Sequence, residues 1–457
     1  MSERWGLTEE QHAELEVEVV DLVSRLLRAD TSNPPGDVTP AVRVLEEYFA
    51  GNGIALTLVG ETPELLNCVA RLEGSGGRPS LLLLGHTDVV PADATEWTEP
   101  PFSGLVKDGY VWGRGALDMK NQVAAQAVAL VRLARRVAAG ERLRGDLVFA
   151  ATADEETGNR CGARWLLEHH PDLVRTDFVI NEGGFDMLAI GERRLYTIHA
   201  GEKGYAGCRI VVHGRGGHGS MPQHRGSVAH GLAQVVLALE EYDPEVLTTR
   251  TPVEFIDYVV ADSQLRRRLK DPVTARSALR ELAARDPDAA RVIEPQLGLT
   301  FATTGIRLGD WAVNVIPSRG AVILDCRLLP GQGEADVRRE VARALDGVAA
   351  SWELEFLNCV GSNQSPGESA LRDAIGETMG DLVSNADVIC EHSSGFTDSA
   401  HVRAAFPGVV AYGFTPFIAE DGAAISSRIH GRDERIAVRD LIFQVVFAER
   451  MAHKLLA

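Results

Sequence analysis

Five short stretches carry the side chains best suited to chemistry. They are Gly85-His86-Thr87-Asp88-Val89-Val90-Pro91, Trp112-Gly113-Arg114-Gly115-Ala116-Leu117-Asp118-Met119-Lys120, Ala153-Asp154-Glu155-Glu156-Thr157-Gly158, Asn181-Glu182-Gly183-Gly184 and Arg428-Ile429-His430-Gly431-Arg432-Asp433-Glu434. In an extended segment His86 and Asp88 point to the same side, and a carboxylate beside an imidazole fixes its tautomer and raises its basicity as a metal ligand. Asp118 stands in a glycine-rich loop, where it could bridge two cations or merely cap the helix that follows. Adjacent acids at 154–156 repel one another and lose hydration in a cleft unless a cation lies nearby. Each stretch alone has a bland explanation: a strand-end turn, a helix cap, a solvated acidic loop. Together they offer oxygen and imidazole donors without thiolates, the donor set of zinc, manganese or cobalt hydrolase sites.

The elements around these stretches explain how they could converge. Thr8-Glu9-Glu10-Gln11 has capping-box spacing and opens an amphipathic helix running to about Arg28. A second helix is expected near Pro40–Gly51, strands near 55–59 and 67–72, and a buried strand at 80–84 directly before Gly85-His86. Another buried strand at 146–151 precedes the acidic run, and a short one at 178–180 precedes Glu182. Continuous apolar strands alternating with helices indicate a mostly parallel sheet covered on both faces, and functional groups gather at the carboxyl ends of such strands. The expected fold class is therefore α/β, with a mixed, mostly parallel sheet covered by helices. Near residue 201 the texture changes. A strand at 205–213, a helix at 227–241, strands at 300–308 and 320–329, a helix at 334–346 and a strand at 352–357 give the β-α-β-β-α-β order of a ferredoxin-like unit. The stretch 242–297 has helical patches and no motif. One domain (201–360) is thus expected to be inserted into another (1–200 and 361–457).

Composition narrows the function. The formal net charge is −19, which argues against nucleic acid or an anionic membrane surface as the main partner. The six cysteines are scattered and form no CxxC pair, so reduced core thiols are expected rather than a disulfide framework or a thiolate metal site. The stretch from Met1 to Val20 has no apolar core of a signal peptide, and the longest apolar run is far too short to span a bilayer; a cytoplasmic location is expected. Gly214-x-Gly216-x-x-Gly219 follows a strand like a dinucleotide fingerprint. However, Met221-Pro222 and the polar stretch to Arg225 delay the helix on whose N-terminus a phosphate would sit.

In this order and at these spacings, the five stretches resemble the di-zinc peptidase and deacylase superfamily, which includes aminoacylase, carboxypeptidases G and S, acetylornithine deacetylase and succinyl-diaminopimelate desuccinylase. The resemblance extends from the first helix to His430. It implies two Zn2+ per chain, with Co2+ or Mn2+ as substitutes, held by His86, Asp118, Glu156, Glu182 and His430. His86 and Glu182 would bind the first metal, Glu156 and His430 the second, and Asp118 both, with Asp88 orienting His86. Glu155 would be the general base, although the residues themselves do not say which of Glu155 and Glu156 is base and which ligand. The Asp118–Met119 peptide would be cis. The implied chemistry is amide hydrolysis by a metal-bridging hydroxide, with Glu155 moving the proton from water to the departing amine.

The inserted domain adds His218, which the resemblance sends to the active site of the partner subunit of a homodimer to stabilise the developing oxyanion. Asn314 and Arg327 match substrate-holding positions, Arg327 as a bidentate grip on a carboxylate or, alternatively, as a strand arginine in a salt bridge. Gly395 and Thr397, in Gly395-Phe396-Thr397-Asp398, match a substrate-side loop. Glu182, where some dipeptidase and aminopeptidase relatives carry Asp, leans towards an N-acyl amino acid or small peptide with a free carboxylate as substrate. A dipeptidase or aminopeptidase, and a catalytically inactive scaffold, are the alternatives; the complete set of ligand types speaks against the scaffold.

Overall fold

The computed structural model describes residues 5–457 except 159, 186, 191, 223–225, 248–249 and 310–311. The chain divides into two compact units. The first comprises Met1–Ala200, Ser365–Cys390 and Thr397–Ala457, and the second Gly201–Gln364 and Glu391–Phe396. The boundary thus lies a few residues beyond the expected 360, and a short later stretch returns to the second unit.

The centre of the first unit is set by four short apolar strands, Leu147–Thr152, Leu81–His86, Phe178–Asn181 and Val410–Gly413, which lie side by side in that order and run parallel. Their side chains alternate between two cores. Leu81, Leu83, Phe149, Ile180 and Tyr412 belong to one, while Leu82, Leu84, Val148, Val179 and Ala411 belong to the other. A strand buried on both faces must be apolar at every position, which is why these segments read as unbroken runs. The flanking strands Leu56–Gly60 and Leu66–Leu72 are antiparallel, so the sheet is mixed with a parallel centre. Helices Glu9–Arg28, Lys120–Ala138, Ala370–Leu382 and Val438–Leu456 supply residues to the first core, and Ala163–His169 and Asp398–Ala405 to the second. Thr8 and Gln11 form the expected capping box. Two elements were not legible in the sequence: Arg193–Glu202, which lies inside this sheet next to Val410–Gly413, and a small separate sheet of 105–107, 110–112 and 435–437.

In the second unit the strands Thr300–Leu308, Arg319–Leu328, Gly204–His213 and Ser351–Val360 form an antiparallel sheet in that spatial order. With helices Val228–Glu240 and Glu334–Ala344 packed in its core, this is the ferredoxin-like order expected from the sequence. The uninterpreted stretch 242–297 folds as four short helices from Arg250 to Ile293. Gly217–His218 is a short strand and the next helix begins at Val228, so among the described residues no helix N-terminus follows the glycines directly; the polar stretch ending at Arg225 lies outside the described residues. Among the described residues no helix is long and apolar enough to cross a membrane.

Candidate active site

The parallel strands deliver their chemistry at one edge. His86 is the last residue of Leu81–His86, Glu155 and Glu156 lie in the turn after Leu147–Thr152, and Glu182 follows Phe178–Asn181 directly. Asp118 arrives from the loop before the helix Lys120–Ala138, across a cis Asp118–Met119 peptide. His430 comes from a turn near the end of the chain and, like Asp154, holds a left-handed backbone (φ 58° and 60°), an uncommon conformation outside glycine that clusters at functional sites.

These side chains form two groups that share one acid. His86 Nε2 lies 3.1 Å from Asp118 Oδ1 and 3.6 Å from Glu182 Oε2. His430 Nε2 lies 3.0 Å from Asp118 Oδ2 and 3.3 Å from Glu156 Oε2. Within each group the donor atoms lie within 4.8 Å of one another, a spacing that lets three donors close on one cation. Each oxygen of Asp118 thus faces a different group. Glu156 Oε1 is buried and has no hydrogen-bond partner among the described residues, and a buried carboxylate oxygen left so costs folding energy unless something positive meets it. The donor chemistry and this oxygen both fit a pair of divalent cations.

Electrostatics agree. Burial opposes a charge on His86, but the carboxylates of Glu182, Asp118 and Asp88 outweigh it and hold its pKa well above the ordinary imidazole value. His430 is pushed up to about 10 by its hydrogen bonds to Asp118 and Glu156. Asp118 is buried, which disfavours its charge, yet hydrogen bonds from His430 and His86 hold its carboxyl well below the usual range. Burial and then the Asp118 charge push Glu182 up to about 7. Glu155 is raised well above its ordinary value by burial and then by Glu182. It belongs to neither group.

Asp88 does more than face the imidazole. The nearest acceptor to His86 Nδ1 is the Asp88 carbonyl oxygen at 3.0 Å, with the carboxylate at 3.5 Å. The carboxylate accepts from Asn33 Nδ2 and from the backbone N–H groups of Glu155 and Glu156, so it anchors the acidic turn. Sequence reasoning overlooked Asn33, which sits in a loop that reads as a plain turn. It also overlooked Gln122, whose amide donates to the Asn181 carbonyl beside Glu182, and Glu434.

Of the remaining candidates Thr397 lies in the same unit as these side chains, its Oγ1 accepting from Asn181 Nδ2 at 3.4 Å, and the others lie in the second unit. In the second unit, exposed His218 lies on the strand paired with Val315–Ile316, its Nδ1 2.8 Å from Ser220 Oγ, and the Asn314 carbonyl accepts from the Gly219 amide. Arg327 makes two hydrogen bonds to Asp325 and stands 5.2 Å above the Tyr205 ring, so its grip is already engaged within the strand. The Gly395 amide donates to Ser393 Oγ. Thr397, in the first unit, caps the helix Asp398–Ala405.

Residues 82–454 match the model of Peptidase family M20/M25/M40. The chain belongs to this family. The chain is therefore a hydrolase of amide bonds, and it carries two groups of side chains that could hold a metal ion. It is 27% identical over 389 residues to the N-fatty-acyl-amino acid synthase/hydrolase PM20D1 of Homo sapiens, covering 81% of this chain and 74% of that protein. It is 27% identical over 406 residues to the succinyl-diaminopimelate desuccinylase of Methylorubrum populi, covering 88% of each. In fold it is similar to the M20 family metallo-carboxypeptidase Sso-CP2 from Sulfolobus solfataricus, with a TM-score of 0.70, 19% identity, and coverage of 97% of this chain and 99% of that one.

Proposed function

We propose that this M20/M25/M40 member hydrolyses the amide bond of an N-acyl amino acid, or of a short peptide, that carries a free carboxylate, with two metal ions and Glu155 as general base. The observation that carries the proposal is the pair of donor groups sharing Asp118, with Glu155 part of neither yet in electrostatic contact with Glu182 and His86 of one and Glu156 of the other. His86, Asp118 and Glu182 would hold one ion and Asp118, Glu156 and His430 the other; zinc suits these nitrogen and oxygen donors, with cobalt or manganese as substitutes. When bound, such a pair supplies Lewis acidity that activates water and polarises a carbonyl. The substrate class is carried from the two relatives, which are named for an N-fatty-acyl-amino acid and for succinyl-diaminopimelate.

The protein's own groups do the proton work. Glu155 is the carboxylate of the acidic turn that joins neither donor group, and in this role it accepts a proton from water and releases it to the leaving amine nitrogen. Asp88 keeps the acidic turn and His86 in place through the contacts described above. Arg327 and Asn314, with Gly395 and Thr397, are the proposed substrate-side groups. The Arg327 pair with Asp325 leaves Nη1 for a substrate carboxylate.

We place His218 at the active site of the partner subunit of a homodimer, as an oxyanion donor. Its exposure, and the exposed apolar side chains Ile306, Leu308, Val313 and Val315 in the same unit, support a contact through that unit. A cytoplasmic location belongs to the same proposal: the six cysteines are free, which suits a reducing compartment.

The test is hydrolysis of a panel of N-acyl amino acids and dipeptides, with and without added zinc, cobalt or manganese, beside a Glu155→Ala variant. Metal-dependent cleavage of N-acyl amino acids, falling by about 10²–10⁴-fold in the variant, is expected. Turnover confined to dipeptides with a free amino group would replace the deacylase reading with a dipeptidase, and full activity in the variant would remove Glu155 from its role.

A further inference from the structure

Glu434 is fully buried, and it is four residues beyond His430. One of its oxygens, Oε1, accepts three backbone N–H groups of the loop that carries the shared acid: Gly115 at 3.1 Å, Leu117 at 2.7 Å and Asp118 at 3.1 Å. Its other oxygen accepts from Arg114 Nη1 at 2.7 Å. Arg114, also buried, turns its second nitrogen back to the carbonyl of His430 at 3.3 Å. The Gly113 amide donates to the Glu434 carbonyl at 3.0 Å. The amide groups of this loop lie in the interior, where they would otherwise be unpaired. One carboxylate therefore gathers the Asp118 loop, and one guanidinium spans from that carboxylate to the His430 turn.

We infer that Glu434 and Arg114 are positioning residues that set the His430 turn in register with the Asp118 loop, so that the group formed by Asp118, Glu156 and His430 closes as one cation site. The inference rests on the two-metal proposal for its consequence and on the hydrogen bonds for its cause. The first group draws His86 and Glu182 from strand ends that Glu434 does not touch, so it depends on the clamp only through Asp118. The second group takes two of its three members from the clamped segments. Outer partners of metal ligands, when altered, typically cost about 10–100-fold in affinity, and here the loss falls on one site of two.

Two variants separate the contributions. In Glu434→Gln an amide nitrogen must take one of the two acceptor positions, so it meets either Arg114 or the loop amides as donor against donor. In Arg114→Lys the positive charge stays beside Glu434, but one ammonium cannot reach both Glu434 and the His430 carbonyl in the fork geometry. Cobalt titrated into the metal-free proteins, followed by its visible spectrum and by chelator competition, should show one equivalent bound within threefold of the parent affinity. The second equivalent should be weakened by about 10-fold or more in both variants. Equal weakening of the two equivalents, or no weakening of either, overturns the inference. Should Glu434→Gln fail to fold, Arg114→Lys decides the metal result alone. Amide hydrogen exchange of Gly115, Leu117 and Asp118 in metal-free protein reads the clamp without any metal: slow in the parent and fast in Glu434→Gln is expected, and exchange unchanged by the substitution overturns the inference. If the parent holds fewer than two cobalt ions while its loop amides are protected by Glu434, the two-metal proposal fails and the clamp stands.

Discussion

Asp118 carries more of the site than any other side chain, because its two oxygens face two histidines from opposite ends of the chain. Without metal those histidines take protons instead. His430 rises from 6.5 to about 10 and Glu182 from 4.5 to about 7. Both have folded pKa values above their unfolded ones. Each therefore stabilises the metal-free fold fully below its unfolded value, and the contribution is lost as pH rises through its folded value. For Glu182 the loss spans about 4.5 to 7, and for His430 about 6.5 to 10. Metal binding must expel the same protons, so it strengthens over the same range. Chelated protein is expected to melt lower at pH 8 than at pH 6, and the gap between metal-loaded and chelated protein to widen. Equal gaps at the two pH values would show that these groups do not exchange protons for metal. The acids and histidines themselves were legible because few residue types do this chemistry. Glu434 was not: in Arg432-Asp433-Glu434 it looks like a solvated charged turn, and its amide partners lie up to 319 positions away. Lys120, buried with its Nζ donating to the Leu26 and Ala29 carbonyls, was hidden for the same reason, since nothing local distinguishes it from a helix-surface lysine.

At the level of elements, the parallel strands could be read because full burial demands apolar residues at every position. What the strands meet at their ends could not. Gly413 ends the strand beside Phe178–Asn181, and a Cβ there would come 2.2 Å from the Glu182 carbonyl oxygen, which is backbone and cannot yield cheaply. Gly413→Ala should therefore move Glu182 and impair the first metal group. Metal content of the dialysed variant should fall below that of the parent, whereas an unchanged content and turnover would mean the strand ends adjust without cost. In the second unit the helical stretch 242–297 carries no readable motif, yet it is anchored by a buried side chain far from it in sequence. Buried Lys203 donates to the Pro295 and Gly298 carbonyls at 2.7 and 2.8 Å and to Thr300 Oγ1 at 3.3 Å, which ties the end of that stretch to the sheet. Truncation in Lys203→Ala leaves these acceptors unpaired at a cost of about 1–3 kcal/mol. Hydrogen exchange confined to 275–299 should accelerate, and a uniform response across the unit would indicate global loss of stability instead.

For the whole molecule, the ferredoxin-like order was visible in the alternation of elements, but the residues alone do not say how its exposed side chains are used, because a surface histidine on a short strand looks the same whether it serves its own chain or another. The two possibilities differ in a countable way. If His218 acts across a homodimer, a His218→Ala subunit retains Glu155 and a Glu155→Ala subunit retains His218. Each homodimer is then inactive at both sites, while a heterodimer has one site with both groups and one with neither. Random exchange of equal amounts makes half of the dimers mixed, so activity should return to about a quarter of the parent value. If His218 acts within its own chain, no pairing restores a complete site and the mixture stays as inactive as its components. Mixing the two variants at a concentration where subunits exchange, with turnover followed over time, separates these cases. The rate at which activity appears then reports the exchange itself, and so how tightly the dimer is held.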